Sequence, residues 1–318
     1  MRYPNLDPEL ISVVAALPDL DITNLAAIRE SNDAPAEPGQ ASGSYKGVDL
    51  QIVYAPGLNG APDVPIRMMR PTGAPGALPV LLAMHGGGFV LGRAQDFDYF
   101  CLEAVRTLGI AVANVEYRLA PETPFPGALD DCTAALRYLH ENGEALGIAA
   151  NRMAVGGSSA GGGLAAGMVL RTRDEGGPPI VFQLLLSPAL DDRPTTPSAS
   201  RADDMPVLSR RTGELVWQHY LGAGYNGPDD TAVSPYAAPA RADDLAGIPP
   251  TYIAAMELDP VRDQNIHYAF RLLEAGVSVE LHSHPGTFHG SAEFAPQAAS
   301  SVRILRGMLD ALGRALSA

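Results

Sequence analysis

The sequence has almost no cysteine and no long apolar run, and each shortage excludes a class of protein. Cys101 and Cys132 are the only cysteines in 318 residues, so the disulfide framework of a small secreted domain is excluded. The apolar run at residues 79–84 is too short to span a bilayer. The first ten residues lack the basic start and apolar run of a signal peptide. We therefore expect a cytoplasmic protein with free thiols and no membrane anchor.

Positive charge is also scarce. Lysine and arginine number 22 against 36 aspartates and glutamates, which gives a formal net charge of −14. A nucleic-acid surface needs a clustered excess of basic residues, so no nucleic-acid partner is expected. Apolar residues make up 46% and charged residues 18% of the chain. These proportions are typical of a soluble globular protein with one large domain, or one core that carries an insertion.

The first seventy residues predict an arm, a linker and a pair of strands. Apolar residues at helical spacing predict helix within residues 1–30, and residues 32–43 are rich in proline, glycine and alanine, as linkers are. Alternating stretches at 48–54 and 64–69 flank a Pro/Gly-rich turn. They predict two antiparallel strands at a sheet edge.

From residue 80 onward, short apolar runs alternate with helical stretches. This order predicts an α/β fold with a mostly parallel central sheet, helices on both faces, and ligands at the carboxyl ends of the strands. The predicted strands are 80–84, 110–115, 152–155, 180–186, 252–255 and 277–281, and the clearest helices are 128–140, 161–173 and 262–274.

One stretch, residues 191–236, interrupts the alternation. It has no clear core strand, and a loop rich in proline, serine and threonine precedes an amphipathic helix around 213–220. We expect a core at 46–190 and 237–318 and an N-terminal arm at 1–45. The arm and the inserted segment would form a helical cap that encloses an apolar substrate.

The sequence Gly157-Ser158-Ser159-Ala160-Gly161 lies between a predicted strand and a predicted helix, which is the setting of a nucleophile elbow. Its glycines permit a tight turn that lifts the Ser159 hydroxyl above the sheet edge. The alternative is a glycine-rich turn that binds phosphate, but no P-loop lysine follows. Ser159 is therefore the candidate nucleophile.

A second glycine-rich turn, His-Gly-Gly-Gly at 85–88, ends the 80–84 strand. Acyl transfer needs backbone N–H groups aimed at the developing oxyanion, and glycines let the backbone approach closely. We expect the amides of Gly87, Gly88 and Ala160 to form this oxyanion hole. The histidine of the same turn, His85, is expected to be a structural hydrogen-bonding residue rather than the base.

A serine nucleophile needs a histidine base and an acid that orients it, and after such an elbow both follow the serine in the chain. His289 lies in a loop after the last predicted strand and is the best candidate base. The competing histidines lie in predicted helices or on the strand itself and are His219, His267, His282 and His284. Glu257, Asp259 and Asp263 all follow the strand at 252–255 and compete as the acid; Asp259 is placed best in the loop, with Glu257 second.

Together these motifs resemble the hormone-sensitive lipase group of esterases, also called bacterial family IV, from about residue 85 to residue 289. The motifs that carry the likeness follow the family's order and are His85-Gly-Gly-Gly-Phe-Val90, Tyr117-Arg-Leu-Ala-Pro-Glu122 with Pro124-Phe-Pro126, Gly157 to Gly162, Asp259-Pro260 with Arg262-Asp263, and Phe288-His289-Gly290. Two positions depart from the family: Ser158 stands where aspartate is common, and Ser291 where a bulky apolar residue is frequent.

The resemblance implies an α/β-hydrolase fold with a helical cap. It favours Asp259 as the acid and implies that the chain hydrolyses short- to medium-chain acyl esters through an acyl-enzyme. It further implies a small-molecule ester as substrate, no metal or organic cofactor, and homodimerisation through an edge strand.

Other activities remain open on the same fold. Plant gibberellin receptors resemble this family but lack the catalytic histidine, whereas this chain keeps His289. Lactones and amides are cleaved by the same triad, and the cap and pocket shape select between them. Several apolar residues could line the acyl pocket, although helical packing explains them equally, and these are Phe89, Met205, Leu208, Leu215 and Trp217.

Overall fold

The computed structural model describes residues 3–17, 22–32 and 45–317. Its strands are β1 (Val48–Ala55), β2 (Val64–Pro71), β3 (Leu78–Met84), β4 (Ala111–Val115), β5 (Ile148–Ser158), β6 (Phe182–Leu186), β7 (Thr251–Leu258) and β8 (Val279–Phe288). They form one sheet in the order β1-β2-β4-β3-β5-β6-β7-β8. The β1–β2 and β2–β4 pairs are antiparallel and the other neighbours are parallel. The predicted α/β-hydrolase fold is confirmed.

Helices cover the sheet and form the segments above it. They are α1 (Ile11–Ala16), α2 (Leu25–Asn32), α3 (Asp98–Leu108), α4 (Gly127–Glu141), α5 (Gly143–Leu146), α6 (Ala160–Glu175), α7 (Pro197–Ser200), α8 (Arg210–Leu221), α9 (Arg262–Glu274), α10 (Ser291–Phe294) and α11 (Ala299–Ser317). Short 3₁₀ helices lie at Pro8–Leu10, Ile22–Asn24, Leu58–Gly60, Ala94–Phe97, Ala202–Asp204 and Pro239–Arg241. No helix within the described ranges is long and apolar enough to cross a membrane.

Strand β3 shows why helices lie on both faces of the sheet. Successive side chains of a strand point to opposite faces. Val80, Leu82 and Met84 belong to the core cluster that includes residues of α4, α6 and α9. Leu81 and Ala83 belong to the second cluster, with α3 and α11. All five side chains are fully buried, so an uninterrupted apolar run is what this central strand requires.

Three strands, β5, β7 and β8, are longer at the site end than the sequence pattern predicts, and β7 runs to Leu258 rather than residue 255. Strand β5 runs through Gly156 and Gly157 to the residue before Ser159. A Cβ on Gly156 would lie too close to Leu184 of β6, and one on Gly157 too close to the Met84 carbonyl oxygen of β3, so glycine is needed at both positions. Strand β8 includes Pro285 and Gly286, which were expected in a loop. Because β8 is an edge strand, a proline without an N–H is tolerated in it.

The N-terminal arm is anchored to the core by Arg29 of α2. Its guanidinium donates to the carbonyl oxygens of Val90 at 3.0 Å and Ala120 at 2.7 Å, and to the carboxylate of Glu122 at 2.8 Å. These contacts hold α2 against the chain that follows the His-Gly-Gly-Gly turn, through Val90, and against the segment after β4, through Ala120 and Glu122. The predicted linker at 32–43 lies, beyond its first residue, outside the described residues.

The inserted segment, residues 191–236, contains α7 and α8 and, as expected, adds no strand to the sheet. Its fully buried Asp192 accepts hydrogen bonds from Arg241 Nε at 2.6 Å and Nη2 at 2.8 Å, and from the Tyr225 hydroxyl at 3.0 Å. A buried carboxylate is tolerated when it is paired and hydrogen-bonded in this way. The pair ties the start of the insertion to the chain that re-enters the core.

Candidate active site

Ser159 occupies a strained turn between β5 and α6. Its backbone has φ 53° and ψ −116°, a conformation that costs a non-glycine residue about 1–3 kcal/mol. The surrounding backbone holds it there: the Ser159 N–H donates to the Leu186 carbonyl at 2.8 Å, and its own carbonyl accepts from the N–H groups of Gly163 and Ala189. The side chain therefore projects above the carboxyl end of the sheet.

Gly161 allows the turn to pack against the end of β3. A Cβ at this position would lie 2.2 Å from the Met84 carbonyl oxygen and 2.4 Å from that of His85. No side chain fits at those distances. The close approach places the glycine-rich turn at 85–88 beside Ser159.

Three predicted residues meet at the carboxyl ends of β5, β7 and β8. The Ser159 hydroxyl oxygen lies 2.8 Å from His289 Nε2, and His289 Nδ1 lies 2.8 Å from Asp259 Oδ2. Asp259 is fully buried, and its other carboxylate oxygen accepts a hydrogen bond from the Val261 N–H at 3.0 Å. The arrangement is that of a serine nucleophile, a histidine base and an orienting carboxylate.

The electrostatic surroundings of His289 favour its protonated form. Burial alone would lower the pKa of its imidazole, but the charge and hydrogen bond of Asp259, with a smaller contribution from Glu293, raise that pKa above the ordinary value. A histidine acts as a base only when neutral. Activity that depends on this group is therefore lost as the pH falls through the raised pKa.

The competing acids serve other contacts. Glu257 accepts hydrogen bonds from the Gly286 N–H at 2.7 Å and from the side-chain amide of Asn5 at 3.0 Å. Asp263 lies in α9 and accepts from the Ser198 N–H at 2.7 Å. Only Asp259 of the three accepts a hydrogen bond from His289 in the described structure.

The competing histidines also lie away from Ser159. His219 is in α8, His267 is in α9, and His282 and His284 are on β8. The His282 imidazole lies 2.8 Å from the carboxylate of Glu280 on the same strand. These placements match the helical and strand positions expected for them.

Of the residues whose amides are expected to form an oxyanion hole, Gly87 and Gly88 line the same cavity as Ser159, and Ala160 follows Ser159 in the chain. Gly87 and Gly88 have φ of 118° and 60°, values that glycine adopts without the cost of a Cβ. No backbone group among the described residues accepts a hydrogen bond from the N–H of Gly87, Gly88 or Ala160. Ala160 is the first residue of α6, where free N–H groups and the helix dipole favour negative charge.

His85 is buried beneath the glycine-rich turn. Its ring stacks on Tyr117 with centroids 4.1 Å apart, and its Nδ1 lies 2.7 Å from the Gly86 carbonyl oxygen. The Tyr117 hydroxyl donates to the carbonyl oxygen of His85 at 2.8 Å. Burial lowers the pKa of His85 to about 4. A neutral, stacked imidazole of this kind supports the turn, as expected from the sequence.

Ser159 and His289 open into a cavity of about 1200 Å³. One side of the cavity is the sheet end with the glycine-rich turn, and the other side comes from the arm and the inserted segment. Arm residues in its wall are Leu17, Ile22, Asn24, Ala27 and Ile28. Of the apolar residues singled out in the sequence, Leu208 and Trp217 line the cavity, whereas Phe89 is buried against Tyr220 with ring centroids 3.8 Å apart.

Among the cavity residues that were not singled out in the sequence, two lie next to groups of the site. Val216 of α8 lies over the glycine-rich turn, since a Cβ on Gly88 would be 2.8 Å from its Cγ2 atom. Glu293 of α10 accepts a hydrogen bond from the Ser158 hydroxyl. The sequence gives no signal for Val216 beyond helical spacing. For Glu293 it gives one, because this carboxylate lies one helical turn after His289.

The structure offers no evident metal centre: within residues 3–17, 22–32 and 45–317, no three His, Cys, Asp or Glu side chains are grouped so that they could hold a metal ion. The expectation that the chain needs no cofactor stays a prediction.

Comparisons with known proteins agree with this fold. A family profile described as alpha/beta hydrolase fold matches residues 81–293. The carboxylesterase NlhH of Mycobacterium tuberculosis is 40% identical over 262 residues, which cover 82% of each chain. The esterase LipI of the same species is 38% identical over 299 residues, covering 92% of this chain and 89% of the relative.

Solved structures extend the likeness over the whole chain. A bacterial heroin esterase superposes with a TM-score of 0.96 at 54% identity, covering 99% of both chains. The esterase LipW from Mycobacterium marinum superposes with a TM-score of 0.89 at 39% identity, covering 99% of this chain and 97% of its own. The chain therefore belongs to the hormone-sensitive lipase family of the α/β-hydrolase superfamily and is a carboxylic ester hydrolase.

Proposed function

We propose that this hydrolase cleaves short- to medium-chain acyl esters through a Ser159–His289–Asp259 triad. The observation that carries the proposal is the unbroken pair of 2.8 Å contacts from the Ser159 hydroxyl through the imidazole to the buried carboxylate. Ser159 and His289 face the cavity, whereas Asp259 is buried away from solvent. Because the surroundings of Asp259 have a low dielectric constant, its interaction with the imidazole is strong and keeps the ring oriented.

Acylation begins when Ser159 Oγ attacks the ester carbonyl carbon and His289 Nε2 accepts the hydroxyl proton. The carbonyl oxygen becomes an oxyanion held by the N–H groups of Gly87, Gly88 and Ala160. Asp259 stabilises the imidazolium without accepting its proton. When the tetrahedral intermediate collapses, the C–O bond to the alcohol breaks, and His289 returns the proton to the departing alcohol.

Deacylation repeats these roles with water. His289 removes a proton from a water molecule, which attacks the acyl carbon of the Ser159 ester. The same three amides hold the second oxyanion. Collapse releases the carboxylic acid and restores the serine hydroxyl with the proton from His289.

We further propose that the arm (1–45) and the insertion (191–236) act as a cap on the core (46–190 and 237–318). Both segments supply cavity wall opposite the sheet end. Val216 lies against Gly88 beside the expected oxyanion, so α8 limits the space next to the reacting carbonyl. This placement supports a preference for short acyl chains.

Replacing Val216 with alanine tests that limit. Two methyl groups leave the cavity wall, and we expect kcat/KM for p-nitrophenyl hexanoate relative to the acetate to rise about ten-fold, since a methylene in an apolar pocket is worth about 10- to 200-fold in discrimination. Val302→Ala on α11, an exposed valine outside the cavity wall, is the matched control and should leave the ratio unchanged. An unchanged ratio in Val216→Ala would assign the chain-length limit elsewhere.

The proposed function is tested with p-nitrophenyl acetate, butyrate, octanoate and palmitate, followed by labelling with diethyl p-nitrophenyl phosphate. We expect the rate to peak at the short esters. In the labelling step, Ser159 Oγ bonds to phosphorus and p-nitrophenolate leaves. Intact mass should rise by one diethylphosphoryl group, and peptide mapping should place it on Ser159. A label on any other serine contradicts the triad; a rate maximum at palmitate contradicts the proposed chain length.

The remaining expectations stay predictions. The free outer edge of β8 and the exposed Phe270 and Leu273 of the adjacent α9 favour a homodimer at this side of the sheet. Light scattering that returns the mass of one chain would contradict it. The cytoplasmic location and the absence of nucleic-acid binding rest on the sequence arguments alone.

A further inference from the structure

A hydrogen bond joins the residue before the nucleophile to the helical turn after the base. The Ser158 hydroxyl donates to Glu293 Oε1 at 2.5 Å. Glu293 belongs to α10, and its N–H donates to the Gly290 carbonyl at 2.9 Å, so its backbone is bonded to the residue next to His289. The contact therefore links the two sides of the Ser159–His289 hydrogen bond.

The sheet itself does not join these two sides directly. Strands β5 and β8, which carry Ser159 and His289 at their ends, are separated by β6 and β7. A small change in twist across three strand pairs would alter the distance between the hydroxyl and the imidazole. The Ser158–Glu293 hydrogen bond bridges this gap at the level of the reacting groups.

The titratable groups that face Glu293 come from three other elements. His289 lies at the end of β8, Asp96 lies in the 3₁₀ helix Ala94–Phe97, and Tyr99 lies in α3. Burial raises the pKa of Glu293 and Asp96 adds to that rise, whereas the Ser158 hydrogen bond and the charge of His289 oppose it. Ser158 is 3% exposed, so its hydrogen bond is protected from competing water.

We propose that Ser158 and Glu293 are a positioning pair for the ester hydrolysis proposed above. The pair holds the His289 turn against the nucleophile elbow and places a second carboxylate near the imidazole. Neither residue contacts the reacting atoms. Asp259 holds the imidazole through Nδ1, and Glu293 acts on it through space. The second carboxylate stabilises the imidazolium that forms when Ser159 attacks.

Glu293→Gln tests the charge while keeping the shape. The amide oxygen of glutamine can still accept the Ser158 hydrogen bond, but the negative charge is lost. Because a nearby carboxylate raises the pKa of His289, its removal should lower that pKa, and the acidic limb of the kcat/KM profile should move to lower pH. We also expect kcat for p-nitrophenyl acetate to fall about ten-fold, with KM unchanged.

Ser158→Ala tests the hydrogen bond. It leaves the carboxylate buried without its donor, and kcat should again fall about ten-fold. If the two residues act as one unit, the double variant should lose no more activity than the worse single variant. Fully additive losses would contradict a pair.

Glu274→Gln is the matched control, since it removes one carboxylate from the exposed end of α9. The acidic limb of its kcat/KM profile against pH should overlay that of the wild type. The proposal is overturned if Glu293→Gln also overlays the wild type, or if it loses activity only in proportion to a lowered melting temperature. Failure of the proposed function is distinct, because then Ser159→Ala would retain the wild-type rate.

Discussion

Replacing Ser159 with alanine is expected to lower kcat for p-nitrophenyl acetate by about 10⁶-fold, the size of loss that follows removal of a nucleophilic serine. Without the hydroxyl no acyl-enzyme forms, and the oxyanion amides and the cavity can assist only the direct attack of water. The backbone turn is held by hydrogen bonds of Ser159 N–H and C=O, which alanine retains. Circular dichroism and the melting temperature should therefore match the wild type.

Ser278→Ala provides the comparison for that experiment. Ser278 is exposed, lies just before β8 and is remote from the cavity wall, so its loss should leave kcat unchanged. A folded Ser159→Ala protein with wild-type turnover would exclude Ser159 as the nucleophile.

Asp259→Asn should lower kcat by about 10⁴-fold. The asparagine oxygen can keep the hydrogen bond from the Val261 N–H, which Asp259 Oδ1 accepts at 3.0 Å. Its NH₂ group would then face His289 Nδ1, and a donor at this position selects the tautomer that carries its proton on Nε2. That nitrogen could no longer accept the proton of Ser159.

Glu257→Gln and Asp263→Asn distinguish this effect from a general loss of negative charge near β7. Both carboxylates bond to other parts of the chain, so we expect kcat to stay within a few-fold of the wild type. Single-turnover kinetics on folded protein measures all three variants. A greater loss in Glu257→Gln than in Asp259→Asn would reverse the assignment of the acid.

Local motifs made much of the fold and site predictable. Each of the eight strands overlaps an apolar or alternating stretch, although β8 does so only at its start. Ser159 and His289 stand in short motifs whose geometry depends on adjacent residues. The choice among Glu257, Asp259 and Asp263 was harder, because all three follow the same strand. Spacing along the chain does not say which carboxylate turns toward a histidine some thirty residues away; the family resemblance was needed to favour one.

Features that depend on distant segments were not predictable in the same way. Pro285 and Gly286 look like loop residues, and only the position of β8 at the sheet edge makes them acceptable in a strand. Ser158 and Glu293 are separated by 135 positions, and each alone is an ordinary polar residue. The contact of Val216 with Gly88 likewise depends on how an inserted helix returns over the sheet.

The two-sided wall of the cavity also bears on how such a protein diverges. The proposed bond-breaking groups stand on parallel strands whose interior is fixed by close packing, while much of the opposite wall comes from the helices of residues 191–236. Mutations in those helices alter which ester fits without displacing the groups that cleave it. Selection can therefore explore new substrates on one side of the cavity while the other side is inherited almost unchanged.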